Sequence, residues 1–283
     1  MNTVRAFTSD DISFGMRLKG AANWNQAEAD WRRLLALEPT GCFIGVCDGV
    51  DAATLTTTVF GPVAWIAMVL TDPEFRGRGL ASMLLRHALE YLEVRGVRSM
   101  RLDATALGKP LYEKFGFRVV TEESRLYGIA NSLDPSTVHF AGVVNLSAED
   151  IPAATAIDAA ATGNDRRRLL ELVRRDWPSA AWTIRDGSQL AGFIMAREGS
   201  RATQLGPCIA ADPTVGERLL AIAMTKHQGS PVYVDVPMAN TPAVKFVLRS
   251  GLTVERTFFR MTRGDDVSEQ ESAVWANYGP ELG

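Results

Sequence analysis

The sequence predicts an α/β (α+β) protein made of two tandem copies of one fold, each a mixed, mostly antiparallel central sheet flanked by helices. Three observations predict it. The order strand, two helices, meander strands, helix, strand, helix, strand runs once through the first half and then starts again. Each half opens on the same capping spacing, Thr8 with Asp11 and Ser147 with Asp150. An arginine-glycine turn, Arg76 to Gly79, lies between an apolar strand and an amphipathic helix, which is the setting of a parallel strand pair.

The elements follow in order. "TVRAFTSDD" is a strand and then a helix start, with the helix reaching about Lys19. A polar loop precedes a second helix, which Pro39 stops. "GCFIGVCDG" and "DAATLTTTVFG" read as hairpin strands around Asp48-Gly49. "VAWIAMVLT" is too uniformly apolar to be half exposed. After the turn, Leu80, Leu84, Leu85, Ala88, Leu89 and Leu92 form one helical stripe, and Gly96 is placed to end it. "SMRLDAT" is a strand, "GKPLYEKF" a short helix, and "FRVVTEESRLYGI" supplies the last strands.

The second half repeats this passage by passage. "DRRRLLELVRRDWP" parallels "EADWRRLLALEP", "VYVDV" parallels "MRLDA", and "NTPAVKFVLRSGL" parallels "TALGKPLYEKFGF". The seam falls in "NSLDPSTVHF", whose composition suits a linker, giving domains of 1–135 and 136–283.

Composition excludes several classes of function. Charged residues make up 22% of the 283 and the net charge is −3, without the basic surplus of a phosphate-contacting nucleic-acid binder. No run approaches the roughly 18 apolar residues of a membrane helix, and the N-terminus has no apolar signal core. The arginine clusters around Arg166 and Arg174 read as solvated helix faces. Cys42, Cys47 and Cys208 are too few and too scattered for a metal site, and read as buried, reduced thiols of a cytoplasmic protein. With His87, His139 and His227 equally dispersed, neither a metal site nor a serine-type triad is supplied.

The chemistry lies in the turn. A helix entered from a turn presents free amides and a positive dipole end, which together bind anions. Gly77 and Gly79 let the backbone curl without a Cβ, Ala81 stays small, and Arg76 and Arg78 add charge. The stretch reads as a pyrophosphate cradle, although neither G-K-[ST] nor G-x-G-x-x-G is present.

Arg76-Gly77-Arg78-Gly79-Leu80-Ala81 resembles the R/Q-x-x-G-x-G/A signature of the GNAT family of N-acetyltransferases, and "LYEKFGF" at Leu111–Phe117 resembles that family's second common stretch. The resemblance covers most of residues 1–130. It implies acetyl-CoA as cosubstrate without a metal. The backbone of Val69, Leu70 and Thr71 would pair with the pantetheine arm, and the amides from Arg76 to Ser82 would hold the pyrophosphate. Thr105 and Lys109 fall beside the same cofactor. The family's frequent asparagine is replaced here by Thr105. Tyr112 would be the acid that reprotonates the departing thiolate. Asp103 is a candidate base with a structural role as the alternative. Trp24 and Asn25 occupy the usual acceptor region, while Glu28 and Asp30 read as solvated helix charges.

In the second copy, "DPTVGERLL" keeps only Gly216 of the turn, and Val247 stands where the first copy has Tyr112. That copy reads as a degenerate lobe which shapes the acceptor pocket or makes a dimer surface. The expected activity is acetyl transfer to a primary amine of a small molecule, by direct attack in a ternary complex. The alternatives are a protein or peptide amine, or an acyl-CoA-binding regulatory pseudoenzyme.

Overall fold

The computed structural model describes residues 1–131, 140 and 142–283. Most of the seam "NSLDPSTVHF", His139 and the boundary at 135/136 lie outside the described residues. The first lobe contains β1 (Asn2–Ala6), α1 (Ile12–Ala21), α2 (Glu28–Leu37), β2 (Cys42–Cys47), β3 (Val50–Phe60), β4 (Val63–Thr71), α3 (Leu80–Val94), β5 (Ser99–Ala104), α4 (Lys109–Lys114) and β6 (Arg118–Ile129). The second repeats that order as β7 (Val143–Asn145), α5 (Ile151–Thr162), α6 (Arg167–Asp176), β8 (Ala181–Asp186), β9 (Gln189–Arg197), β10 (Thr203–Ala210), α7 (Pro213–Lys226), β11 (Pro231–Pro237), α8 (Thr241–Arg249) and β12 (Thr253–Gly264). One further short strand, β13 (Val274–Ala276), has no counterpart in the first lobe.

Local chemistry accounts for the elements. The backbone N–H of Thr8 donates to Asp11 at 2.8 Å, closing the capping box, and the N–H of Ser147 donates to Asp150 at 2.8 Å in the second copy. The predicted stripe of α3 is buried throughout. "FRVVTEESRLYGI" forms one long strand rather than several.

Among the described residues thirteen strands join in one sheet, in the order β1-β2-β3-β4-β5-β12-β6-β11-β10-β9-β8-β7, with β13 beside β10. The order is a palindrome with an exchange at its centre. The last strand of each lobe crosses over and pairs with the penultimate strand of the other: β12 with β5 and β6 with β11, all antiparallel. Periodicity within a lobe cannot reveal this, because a strand carries the same alternation whichever neighbour it pairs with.

A reciprocal pair of buried ion pairs fixes the exchange. Arg260 of β12 donates to both oxygens of Asp103 on β5, at 2.9 and 3.0 Å. Arg125 of β6 donates to both oxygens of Asp235 on β11, at 2.8 and 2.7 Å. Asp103 and Asp235 occupy the same place in the two copies, so duplication has carried the clamp with it.

Two charge readings from the sequence are corrected. Asp30 is buried, not solvated: it accepts from Arg33 at 2.5 Å and from Arg197 of the second lobe at 3.0 Å. Arg166 is buried too, donating to Asp158 at 2.9 and 2.6 Å. Asp30 lies on α2 and Arg166 just before α6, facing Asp158 of α5, and burial of such charges requires these partners.

Candidate active site

β4 and β5 run parallel and are paired only over Val63–Trp65 and Ser99–Arg101. Beyond that they splay apart. A bulge displaces the register of β4 on β3, and Met68 within it has a φ of +50°, an uncommon backbone state for a side chain of that size. The splay opens into a pocket that is continuous with solvent. Ile66 to Val69, Leu102, Asp103, Thr105 and Tyr112 line it from the first lobe's sheet and α4, and Trp24 and Gln26 from the α1–α2 loop. Arg125, Arg256 and Phe258 come from the exchanged strands, and Pro280 and Glu281 from the segment after β13.

β4 leads directly into the arginine-glycine turn. Asp72 accepts from the N–H of Glu74 at 3.1 Å and from Arg17 at 2.5 Å, which sets the turn. Gly77 and Gly79 have φ values of +77° and +79°, and a Cβ on either would meet open space. Gly79 is the N-cap of α3 and supplies no side chain to cap it. The amides of residues 77 to 82 therefore have no hydrogen-bond partner among the described residues. Arg76 and Arg78 are exposed beside them, with the Arg78 guanidinium 5.1 Å from the Phe75 ring centroid. A row of free amides at a helix start, flanked by cations, is chemically suited to an anion.

Tyr112 is buried on α4, edge-on to Phe117 at 6.0 Å. Its hydroxyl has no hydrogen-bond partner among the described residues, and burial pushes the phenol well above its ordinary value. Burial thus favours the protonated phenol. Thr105 accepts from the N–H of Gly108 through its hydroxyl at 3.2 Å, so it starts α4 and thereby positions Tyr112. Lys109 pairs with Glu113 at 3.7 Å and lies 4.6 Å from the Phe259 ring centroid.

The remaining residues singled out in the sequence divide. Trp24 faces the pocket; Asn25 does not. Asn25 clasps the second lobe, donating to the carbonyl of Ala202 at 3.0 Å and accepting from the N–H groups of Arg201 and Ala202 at 3.0 and 3.1 Å. Asp103 reaches the pocket wall with its carboxylate engaged by Arg260.

Four pocket residues, Arg256, Phe258, Pro280 and Glu281, come from the far end of the chain, and sequence reasoning missed all of them. No local motif marks them, since only the strand exchange and the return of the last segment bring them here. Glu281 accepts from Gln26 at 2.8 Å and is also paired with Arg197. Burial raises its carboxyl above the ordinary range, against the pull of Arg197. Among the described residues no cluster of three His, Cys, Asp or Glu side chains is arranged to hold a metal ion.

In the second lobe the corresponding places are filled. Asp212 caps α7, its carboxylate accepting from the N–H of Val215 at 2.9 Å, so the helix start carries a negative charge of its own. β13 pairs with β10 at Cys208 and Ile209, within the splay beyond the β10–β11 pairing, and the N–H of Asn277 donates to the carbonyl of Asp235 at 2.8 Å. Trp275 packs on Gly216, where a Cβ would stand 2.1 Å from the ring.

The fold is shared with known proteins. The acetyltransferase (GNAT) family model matches residues 7–117 and the acetyltransferase (GNAT) domain model matches residues 154–276. A holothin acyltransferase of a Pseudoalteromonas species is 26% identical over 269 residues, spanning 93% of this chain and 88% of its own. The ribosomal protein bS18-alanine N-acetyltransferase of Salmonella typhimurium is 29% identical, spanning 49% of this chain and 95% of its own. The crystal structure of a putative acetyltransferase from Pyrococcus horikoshii superposes with a TM-score of 0.84 over 100% of this chain and 96% of its own, at 22% identity. The chain belongs to the GNAT acetyltransferases, with two such domains in tandem, and is an acyltransferase.

Proposed function

We propose that the protein transfers the acetyl group of acetyl-CoA to the primary amine of a small molecule, in the first lobe only. The observation that carries this reading is the continuity of three features that meet at the splayed end of β4. The splayed edge of β4, the unpaired amides of residues 77 to 82 and the pocket under Tyr112 follow one another. The cosubstrate supplies an activated thioester when bound. The free edge at Val69 to Thr71 would hold its pantetheine arm, and the cradle from Arg76 to Ser82, with Arg76 and Arg78, its pyrophosphate. Thr105 and Lys109 would border the arm near α4.

Tyr112 would give its proton to the leaving thiolate. Asp103 would act as a fixed clamp rather than a base. Its counterpart Asp235 makes the same bidentate bond to an arginine in the lobe that has neither cradle nor phenol. The carboxylate that would take the ammonium proton is Glu281, which faces the pocket and whose affinity for a proton is raised by burial. Trp24 and Phe258 would sandwich the acceptor's apolar part.

A small acceptor fits better than a protein because the second lobe closes over the pocket with Phe258, Arg256, Pro280 and Glu281. One relative that spans both lobes is named as a holothin acyltransferase, whereas the bS18-alanine N-acetyltransferase spans half of this chain. We place the protein in the cytoplasm on its three unpaired, buried cysteines. No helix among the described residues is long and apolar enough to cross a membrane.

The test is release of free CoA from acetyl-CoA with a panel of primary amines, for the parent and Tyr112→Phe. Turnover by the parent, with kcat reduced roughly 100-fold and acetyl-CoA affinity kept in the variant, is the expected result. Acetyl-CoA binding without turnover of any amine or peptide would instead favour a regulatory pseudoenzyme.

A further inference from the structure

The proposed acceptor pocket contains a charge that no described residue pairs with. Arg256 is half-buried on β12 and lines the pocket. It has no hydrogen-bond or ion-pair partner among the described residues. The neighbouring cations are all engaged: Arg125 by Asp235, Arg260 by Asp103 and Arg201 by Glu255. Glu255, next to Arg256 in sequence, is occupied by Arg201 at 3.2 Å and by the hydroxyl of Tyr233 at 2.9 Å.

The strand register adds a second observation. Arg256 of β12 stands directly opposite Arg125 of β6, just after a bulge that shifts the pairing. Residues opposite one another on antiparallel strands project to the same face, and like charges there repel. Asp235 offsets the charge of Arg125, yet a second guanidinium is retained beside it, facing the pocket. The other charged groups of the pocket, Asp103, Arg125 and Glu281, are each engaged elsewhere, which leaves the half-buried guanidinium of Arg256 to pair with an anion that enters.

We propose that the acceptor carries a carboxylate as well as its amine, and that Arg256 binds that carboxylate. This rests on the reading of the pocket as an acceptor site. A single monoanion is favoured because one unpaired monocation awaits it, and guanidinium and carboxylate match as a two-pronged pair. The amine end then lies toward Glu281 and the splay of β4, and the carboxylate end toward the exchanged strand β12. The acceptor class is an amino acid or an amino-carboxylate with an apolar or aromatic body.

The experiment uses matched amines with the full-length protein. One set is benzylamine, its para-carboxylate and its para-aminomethyl analogue. The other is butylamine, gamma-aminobutyrate and putrescine. Acetyl-CoA binding is measured by calorimetry on the same preparations, and its loss would count against the acetyl-transfer reading rather than against Arg256. The carboxylate member of a set is expected to have a kcat/KM at least ~10-fold above its neutral partner, mostly through KM. Arg256→Gln collapses that ratio to near one, and Arg256→Glu reverses it toward the diamine. Melting curves matching the parent's show that both variants fold. Equal use of charged and neutral partners, preference for the neutral or diamine member by the parent, no use of any carboxylate-bearing member, or a ratio unmoved by Arg256→Gln overturns the inference.

Discussion

The two lobes share an order of elements, a capping box and an aspartate-arginine clamp, yet differ at one groove. In the first lobe the splay between β4 and β5 is open, α3 begins on Gly79 with free amides, and Tyr112 faces the space with an unpaired hydroxyl. In the second, the splay between β10 and β11 is occupied by β13, α7 begins on the self-capping Asp212, and Val247 replaces the phenol. The difference teaches that the second copy has not merely lost a motif. Its groove is filled by its own chain, and that chain continues as Asn277–Glu281 into the first lobe's pocket. The segment is held there by Asn277 donating to Glu123 at 2.5 Å, Arg33 donating to the Tyr278 hydroxyl at 3.1 Å, and the pairing of Glu281 with Arg197. One groove, closed, anchors a wall of the other.

The largest effect that would break this contrast is at the cradle. Gly79→Asp places a carboxylate among the free amides and is expected to abolish acetyl-CoA binding by calorimetry while the protein stays folded by circular dichroism. The parallel change at the filled groove acts on stability instead. Gly216→Ala drives a Cβ into Trp275 and is expected to cost about 1–3 kcal/mol in chemical denaturation, with acetyl-CoA affinity retained.

The clamps come next. Asp103→Asn and Asp235→Asn each take a carboxylate from a buried guanidinium, and the expected cost by denaturant titration is about 3–5 kcal/mol for Asp235→Asn and less for Asp103→Asn, because Arg260 keeps Glu123 at 3.2 Å. Losses in that order mark Asp103 as half of a structural pair. A fall in kcat of the Asp103 variant far beyond its stability loss would return it to the role of base.

Much of the fold was legible in the sequence, and the reason is local. Apolar periodicity, the Pro39 stop, the glycine turns and both capping boxes act within a few residues, so the elements and the duplication follow from them. The glycine turn and the placement of Tyr112 were legible because a turn and a short helix carry them whole. The strand exchange was not, because β6 and β12 carry the same pattern in either partner. Asp30 read as solvated because its cation, Arg197, lies 167 residues away. Asn25 read as an acceptor contact for the same reason, since Arg201 and Ala202 engage it only across the lobes. One signal was present and unread: the aspartate repeated at Asp103 and Asp235, which with Arg260 and Arg125 foretells the clamp.

A smaller, sharper test concerns pH. A carboxylate base works only when deprotonated, and burial raises the carboxyl of Glu281, so its limb lies above the ordinary glutamate range. kcat/KM is expected to rise with pH through that limb, and Glu281→Gln to remove it while leaving the acceptor's own ammonium ionisation in the profile. An unchanged profile in the variant would assign the proton transfer elsewhere.

The most direct test of the contrast between the lobes is calorimetric titration of the parent with acetyl-CoA. One site per chain, lost in Gly79→Asp, is the expected result and assigns cosubstrate binding to the open groove alone. Two sites per chain, or one that survives Gly79→Asp, would contradict it by showing that the groove filled by β13 also binds.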